Sequence, residues 1–178
     1  MKKNNNNSMI FSAKDQLHLY GYSSYFDSFS KLFIKKKLPN TILISGSKGI
    51  GKSTFIHHFI NFLLSTNEEK KYDQNNFIIN KDNRSYKLTQ NNLHPNFFHV
   101  GNDHTDNIIG VDKIRELLNF LNRTTNSDNL KLILIDNVEN LNINSSNALL
   151  KSLEEPNKNT YFFLIQDSAN NILNTIKS

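Results

Sequence analysis

The residues best suited to chemistry form a glycine-rich run that begins at Gly46. The run reads GSKGIGKS and fits the pattern G-x-x-x-x-G-K-[ST], whose backbone N–H groups point into one concavity and bind phosphate oxygens. In this pattern Lys52 places its charge on the β- and γ-phosphates, and the Ser53 hydroxyl takes one position on Mg²⁺. The alternative is a glycine-rich turn that no longer binds nucleotide. We predict ATP or ADP with Mg²⁺ as the cofactors. The predicted nucleotide-binding residues are Gly46, Ser47, Lys48, Gly49, Ile50, Gly51, Lys52, Ser53 and Thr54.

Asp136 is a second candidate because it directly follows the apolar run LKLILI. In P-loop proteins a carboxylate at this place joins the magnesium shell, usually through water. The next position normally holds the glutamate that activates the attacking water; here it is Asn137, whose amide cannot act as a base at neutral pH. Glu139 comes two residues too late for that position. We therefore predict Ser53 and Asp136 as the Mg²⁺ ligands, assign no catalytic residue, and expect weak or absent ATP hydrolysis.

Three histidines, His94, His99 and His104, recur at intervals of five residues with Asp103 nearby. Such a group could indicate a metal site. However, metal ligands on one side of a helix lie three or four residues apart, so this spacing fits no helical face. We interpret these histidines as loop and strand-end residues. The sequence also lacks the G-x-S-x-G motif of serine hydrolases.

Apolar periodicity predicts the elements that hold the candidate residues. Helical spacing predicts helices over residues 23–36, 53–64, 111–121 and 145–155. Short β-branched or aromatic runs predict strands over residues 41–45, 96–100, 130–135 and 161–165, the first of them buried on both faces. The first helix is expected to face the core with Tyr25, Phe26, Phe29, Leu32 and Phe33.

The polar stretch 66–93 predicts an insertion or a hairpin between these elements. The alternation of strands and helices predicts an α/β fold of the P-loop NTPase type, with a mainly parallel sheet covered by helices on both faces. In such sheets ligands bind at the carboxyl ends of the strands. Both the glycine-rich loop and Asp136 fall at strand ends of this kind.

Composition narrows the function further. The 178 residues include no cysteine, which excludes disulfides, thiolate metal sites and a cysteine nucleophile and is consistent with a cytoplasmic location. No apolar run is long enough to cross a membrane. The net charge of +5 comes almost entirely from lysine in an asparagine- and isoleucine-rich background. We interpret it as a solvated lysine surface arising from AT-rich codons, because no arginine cluster marks a phosphate-reading face.

Residues 147–156 read NALLKSLEEP, and this run resembles the bacterial DNA polymerase III clamp-loader family of AAA+ proteins. Taken alone, the run is an amphipathic helix stopped by proline. Further similar segments are LYG at 19–21, HPN at 94–96, VDKIREL at 111–117 and TIKS at 175–178. The resemblance implies an AAA+ ATPase-fold domain over residues 19–178, with a polar insertion at about 66–93, after a disordered or polar segment over residues 1–18.

Two branches of this family are candidates, the delta-prime type and the gamma/tau type. Gamma/tau subunits usually carry a cysteine-rich zinc module and an Asp-Glu second motif, whereas this chain has no cysteine and has Asp136-Asn137. The sequence therefore resembles the delta-prime branch more closely. That resemblance implies a mostly non-hydrolysing subunit whose partners are the gamma/tau and delta subunits and, through the complex, the sliding clamp and primer-template DNA. A gamma/tau-type ATPase, an autonomous P-loop kinase or NTPase, and a structural partner that binds no nucleotide remain alternatives.

The resemblance also predicts what lies around the end of this sequence. The family's next motif is Ser-Arg-Cys, whose arginine enters a neighbouring subunit's ATP site, and the sequence reaches only Ser178. The family's lid and collar domains have no counterpart in these residues, so we expect an amino-terminal portion of such a subunit. Gln166 and Asp167, at the end of the last predicted strand, are the candidate γ-phosphate sensors.

Overall fold

Four strands rich in β-branched and aromatic residues form one parallel sheet in the computed structural model, which describes residues 12–101, 108–123, 130–172 and 176. The spatial order of the strands is β1-β4-β3-β2. Their bounds are β1 Thr41–Gly46, β2 Phe97–Val100, β3 Lys131–Ile135 and β4 Thr160–Asp167. Because all pairings in this sheet are parallel, the carboxyl ends of the strands lie along one edge.

Among the described residues, one helix precedes β1 in the chain and the others lie between successive strands. They are α1 Ser23–Ile34, α2 Lys52–Leu64, α3 Arg84–Gln90, α4 Val111–Asn122 and α5 Ile143–Glu154, with short 3₁₀ turns at Ala13–Asp15 and Val138–Asn140. Asparagine caps two of them: Asn83 accepts the Tyr86 N–H of α3, and Asn142 accepts the Ser145 N–H of α5. Within the described ranges, no helix combines the length and the apolar character needed to cross a membrane.

The core lies on both faces of the sheet because side chains alternate along each strand. In β3, Leu132 and Leu134 pack on the face that α1 and α2 cover, whereas Ile133 and Ile135 pack on the face that α4 and α5 cover. The result is a layer of helices on each side of the sheet. This confirms the predicted α/β fold with a parallel sheet.

The predicted helices and strands are all present, but two burial predictions are wrong. Strand β1 lies at an edge of the described sheet, so Leu43 is 41% exposed instead of buried. In α1, Phe26 is fully buried, whereas Tyr25 is 61% exposed and Leu32 is 38% exposed. The apolar stripe of α1 is wider than the face that contacts α2, and these two residues lie on its margin.

The polar segment 66–93 is more structured than an insertion or a single hairpin. A hairpin-like bridge joins Asp73 to Ile78, and α3 follows it, which the sequence did not predict. Tyr72 and Ile79 from this segment are buried in the core.

The N-terminal segment also differs from its prediction in the part that the structure describes. Residues 1–11 lie outside the described residues, but residues 12–18 pack onto the protein. Leu17 contacts the core on the α2 side, and His58 Nε2 lies 3.0 Å from the carbonyl oxygen of Gln16. One apolar side chain and one backbone acceptor thus hold residues 12–18 against the domain.

We expect His58 to make the stability of the fold depend on pH. Burial lowers the pKa of His58 to about 4, from an ordinary value near 6.5, and its ring also contacts the Tyr72 hydroxyl at 3.0 Å. Between these two values the unfolded chain binds a proton that the folded chain does not. The stability contribution is therefore complete above about pH 6.5 and is lost as the pH falls toward 4. Between pH 7 and pH 5 this amounts to about 2 kcal/mol.

The measurement is urea unfolding of the parent chain and of His58→Gln at pH 7, 6 and 5. The parent chain should lose about 2 kcal/mol more stability over this interval than the variant, since glutamine binds no proton. Gln74→Asn is the control, because Gln74 is exposed and carries no titratable group, and it should leave the pH dependence unchanged. Parallel pH curves for the parent and His58→Gln would contradict the prediction.

Candidate nucleotide-binding site

The glycine-rich loop connects the carboxyl end of β1 to the amino end of α2. Gly49 and Gly51 have φ angles of +83° and +92°, in the left-handed region that side chains disfavour. A Cβ atom on Gly51 would also lie 3.3 Å from the ring of Tyr22. The backbone of the loop therefore favours glycine at both positions; the phosphate-loop pattern specifies glycine at position 51 and leaves position 49 open.

Lys52 is the first residue of α2, and its side chain turns back into the loop. Its Nζ donates hydrogen bonds to the carbonyl oxygens of Gly46 at 2.6 Å and Ser47 at 2.7 Å, and the residue is only 7% exposed. These contacts hold the ammonium group at the base of the loop. A phosphate bound in the loop would meet a positive charge that is already in place.

Ser53 provides the observation that most directly indicates a ligand. Its Oγ atom is buried and has no hydrogen-bond partner among the residues that the structure describes. Buried hydroxyl groups are nearly always hydrogen-bonded in folded proteins, so this one calls for a partner. It lies in the first turn of α2, whose N-cap, Gly51, has no side chain to cap the helix. A magnesium ion or a phosphate oxygen fits both features.

A cleft of about 490 Å³ opens beside the loop. Nine residues named from the sequence line it: Lys48, Gly49, Gly51, Lys52, Ser53, Thr54, Asp136, Asn137 and Asp167. Gly46, Ser47, Ile50 and Gln166 do not line it; the first three form the loop itself. Ala13, Gln16 and Ile165 also line the cleft, although no sequence motif marks them.

The end of β3 brings Asp136 into the cleft together with Asn137. Asn137 adopts a left-handed conformation with φ of 58°, and the second 3₁₀ turn starts directly after it. This turn brings Glu139 back toward β4, where its Oε1 accepts the backbone N–H of Asp167 at 3.2 Å. The other oxygen, Oε2, is buried and has no partner within the described ranges. Glu139 therefore lies behind the end of β4 and is not among the residues that line the cleft.

The two sensor candidates point in different directions. Gln166 is 7% exposed, and its Nε2 donates to the carbonyl oxygen of Asn170 at 2.8 Å. Asp167 lines the cleft and lies opposite Gly46 in the register of β1 and β4. Of the two sensor candidates, Asp167 lines the cleft and Gln166 does not.

Tyr22 contacts the glycine-rich loop, although the sequence did not predict a role for it at this site. Its hydroxyl donates to the carbonyl oxygen of Ile50 at 2.7 Å, and its ring stacks on Phe55 with centroids 5.3 Å apart. No motif identifies such a residue, because the contact joins positions 28 residues apart.

The histidines at positions 94 and 99 lie apart from the cleft. His94 contacts the Ser85 hydroxyl at 3.2 Å and accepts the Asn96 N–H at its Nδ1. His99 stacks on Phe97 and meets the ring of His57. Asp103 and His104 lie outside the described residues.

The fold and the loop together define a P-loop α/β domain, and comparison with known proteins identifies its family. The family model described as "DNA polymerase III, delta subunit" matches residues 21–178. The chain therefore belongs to this family.

Curated relatives agree with this assignment. The chain is 30% identical to the DNA polymerase III subunit delta′ of Pseudomonas aeruginosa over 84% of its own length and 44% of the relative. It is 27% identical to the subunit delta′ of Escherichia coli K12, over 78% of its own length and 40% of that protein. The DNA polymerase III subunit gamma of Buchnera aphidicola from Schizaphis graminum matches only 38% of the chain, at 41% identity, and 19% of that subunit. The resemblance to the delta-prime branch is confirmed.

The chain spans less than half the length of these relatives. A solved structure of a DNA polymerase III gamma subunit-related protein from Thermotoga maritima superposes with a TM-score of 0.55 at 19% identity. The match covers 85% of this chain and 42% of that one. This similarity supports the fold of the domain.

Proposed function

We propose that this chain supplies the nucleotide-binding domain of a delta-prime-type clamp-loader subunit, and that its cleft binds ADP or ATP with Mg²⁺. Through the complex, such a subunit would help to load the sliding clamp on primer-template DNA, with gamma/tau and delta as its partner subunits. The family assignment supports the subunit type. The buried Ser53 hydroxyl without a partner, in a cleft that also holds Lys52 and Asp136, carries the nucleotide proposal.

The residues divide the binding task by their chemistry. The loop around Gly49 and Gly51 would surround the β-phosphate with backbone N–H groups, and Lys52 would neutralise it from the base of the loop. Ser53 would hold Mg²⁺ directly, and Asp136 would hold it through water. Bound Mg²⁺ supplies charge neutralisation between the phosphates.

The same cleft is poorly equipped for hydrolysis. Asn137 occupies the place next to Asp136, and an amide cannot take a proton from water. Glu139 is the next carboxylate along the chain after Asp136, but its Oε1 accepts a hydrogen bond from the Asp167 N–H at the end of β4. The chain is therefore proposed to bind nucleotide with little or no turnover of its own.

The test is a titration of the purified chain with fluorescent ADP, with Mg²⁺ and with EDTA, followed by a phosphate-release assay with ATP. We expect saturable binding that Mg²⁺ strengthens, and phosphate release no faster than in buffer. An absent fluorescence change would instead support a structural loop. Rapid phosphate release would contradict the non-hydrolysing assignment, and phosphate transfer to an added acceptor would favour an autonomous kinase.

The subunit proposal needs a separate test. The chain should co-elute with gamma and delta subunits of a bacterial clamp loader in size-exclusion chromatography. Failure to co-elute would contradict assembly through this domain.

A further inference from the structure

The cleft carries as much negative as positive charge, which is unusual for a site that binds polyphosphates. In the described part of the chain, the charged residues that line it are Lys48, Lys52, Asp136 and Asp167. Glu139 adds a third carboxylate behind Asp167, through its hydrogen bond to the Asp167 N–H. In the proposed function Asp136 binds Mg²⁺ through water, whereas Asp167 has no assigned role.

Asp167 occupies a fixed position beside the phosphate loop. It pairs with Gly46 across β1 and β4, and the next residue, Ser168, donates its N–H to the Gly46 carbonyl oxygen at 3.1 Å. The side chain is fixed as well, because its Oδ1 accepts the Ala169 N–H at 3.1 Å. The backbone of Asp167 is therefore held by the end of β4, and its carboxylate is held by a single hydrogen bond from the Ala169 N–H.

We expect the negative charge of Asp167 to repel the γ-phosphate of a bound nucleotide more than its β-phosphate. The loop and the start of α2 surround the β-phosphate, and the γ-phosphate extends from there toward the ends of the strands. Those ends carry Asp136 and Asp167. Bound Mg²⁺ would offset the charge of Asp136, whereas Asp167 would present a like charge to the γ-phosphate.

We propose that Asp167 makes this cleft selective for a nucleoside diphosphate over the corresponding triphosphate. The proposal rests on the nucleotide binding proposed above and specifies its ligand. A diphosphate keeps the contacts of the loop, Lys52 and Ser53, and avoids the repulsion at the strand ends. The subunit would then hold its nucleotide as a structural element of the domain.

The experiment compares fluorescent ADP with the fluorescent form of a non-hydrolysable ATP analogue, both with Mg²⁺ at about 0.15 M salt. The parent chain should bind the diphosphate at least about tenfold more tightly, the effect of one like charge a few ångströms from the γ-phosphate in a partly solvated cleft. Asp167→Asn removes the charge and keeps an oxygen for the Ala169 N–H. It should tighten binding of the triphosphate analogue about tenfold and change binding of ADP less than about threefold.

Asp112→Asn is the matched control, because the Asp112 side chain is 87% exposed on α4 and does not line the cleft. It should leave the selectivity unchanged. Equal binding of both nucleotides by the parent chain, or selectivity that Asp167→Asn does not alter, would overturn the inference and leave nucleotide binding intact. An equal shift in Asp112→Asn would also overturn it, since the net charge would then be responsible. Absence of binding by either nucleotide would instead overturn the proposed function on which the inference depends.

Discussion

Replacement of Lys52 by alanine is expected to weaken nucleotide binding about 30-fold or more. Lys52 is 7% exposed, and its ammonium group is held at the base of the loop by the carbonyl oxygens of Gly46 and Ser47. A phosphate bound there would lose its closest buried positive charge, and truncating a buried charged partner costs about 2 kcal/mol or more. Titration with fluorescent ADP in the presence of Mg²⁺ measures the loss.

The variant must remain folded for this result to be informative. The Gly46 carbonyl keeps its hydrogen bond from Ser168, so we expect a loss of stability of only about 1–2 kcal/mol in urea unfolding. Lys35→Ala, an exposed lysine at the end of α1, is the control and should bind like the parent chain. Parent-like affinity in Lys52→Ala would show that nucleotide is bound elsewhere.

The sequence predicted the elements of the fold because their signals are local. Apolar residues one helical turn apart mark α2, and the short apolar run LKLILI marks β3 as a strand. The phosphate loop lies between β1 and α2 as its pattern requires. Asp136 lines the cleft, because a residue that directly follows a central strand has its position set by the strand.

The rest depends on contacts between distant parts of the chain. Glu139 follows Asp136 by three residues, but a left-handed Asn137 and a 3₁₀ turn bring it to Asp167. Similarly, α1 has one apolar stripe, and only its packing on α2 decides that Phe26 is buried and Tyr25 is exposed. Periodicity predicts which face of α1 is apolar, but it does not predict which residues at the edges of that face are buried.

Lys131 shows the same limit for charge. Composition predicts a solvated lysine surface, but Lys131 is 8% exposed at the start of β3. Its Nζ donates to three carbonyl oxygens at the end of α4, and burial lowers its pKa. These carbonyls complement a cation, since the last turn of a helix has unpaired acceptors. Composition alone cannot distinguish this lysine from its exposed neighbours.

Replacement of Phe26 by alanine is expected to cost about 3–5 kcal/mol of unfolding free energy. Phe26 is fully buried, and its ring lies 5.2–5.8 Å, between centroids, from the rings of Phe59, Phe62, Tyr72 and Phe77. These partners come from α2 and from the polar segment 66–93, so one side chain joins three parts of the chain. Truncation leaves a cavity that none of them can fill without moving. Urea unfolding followed by circular dichroism measures the cost.

The neighbouring residue provides the matched control, because Tyr25→Ala also removes an aromatic ring from α1 but at a position that is 61% exposed. Tyr25→Ala should change stability by less than about 1 kcal/mol. Limited proteolysis gives a second readout, of the local stability of segment 66–93. Tyr72 and Phe77 hold this segment on the core through their contacts with Phe26. Proteases should therefore cut the segment faster in Phe26→Ala than in Tyr25→Ala. Similar stabilities for the two variants would contradict the prediction, because the aromatic cluster would then contribute little to holding the polar segment on the core.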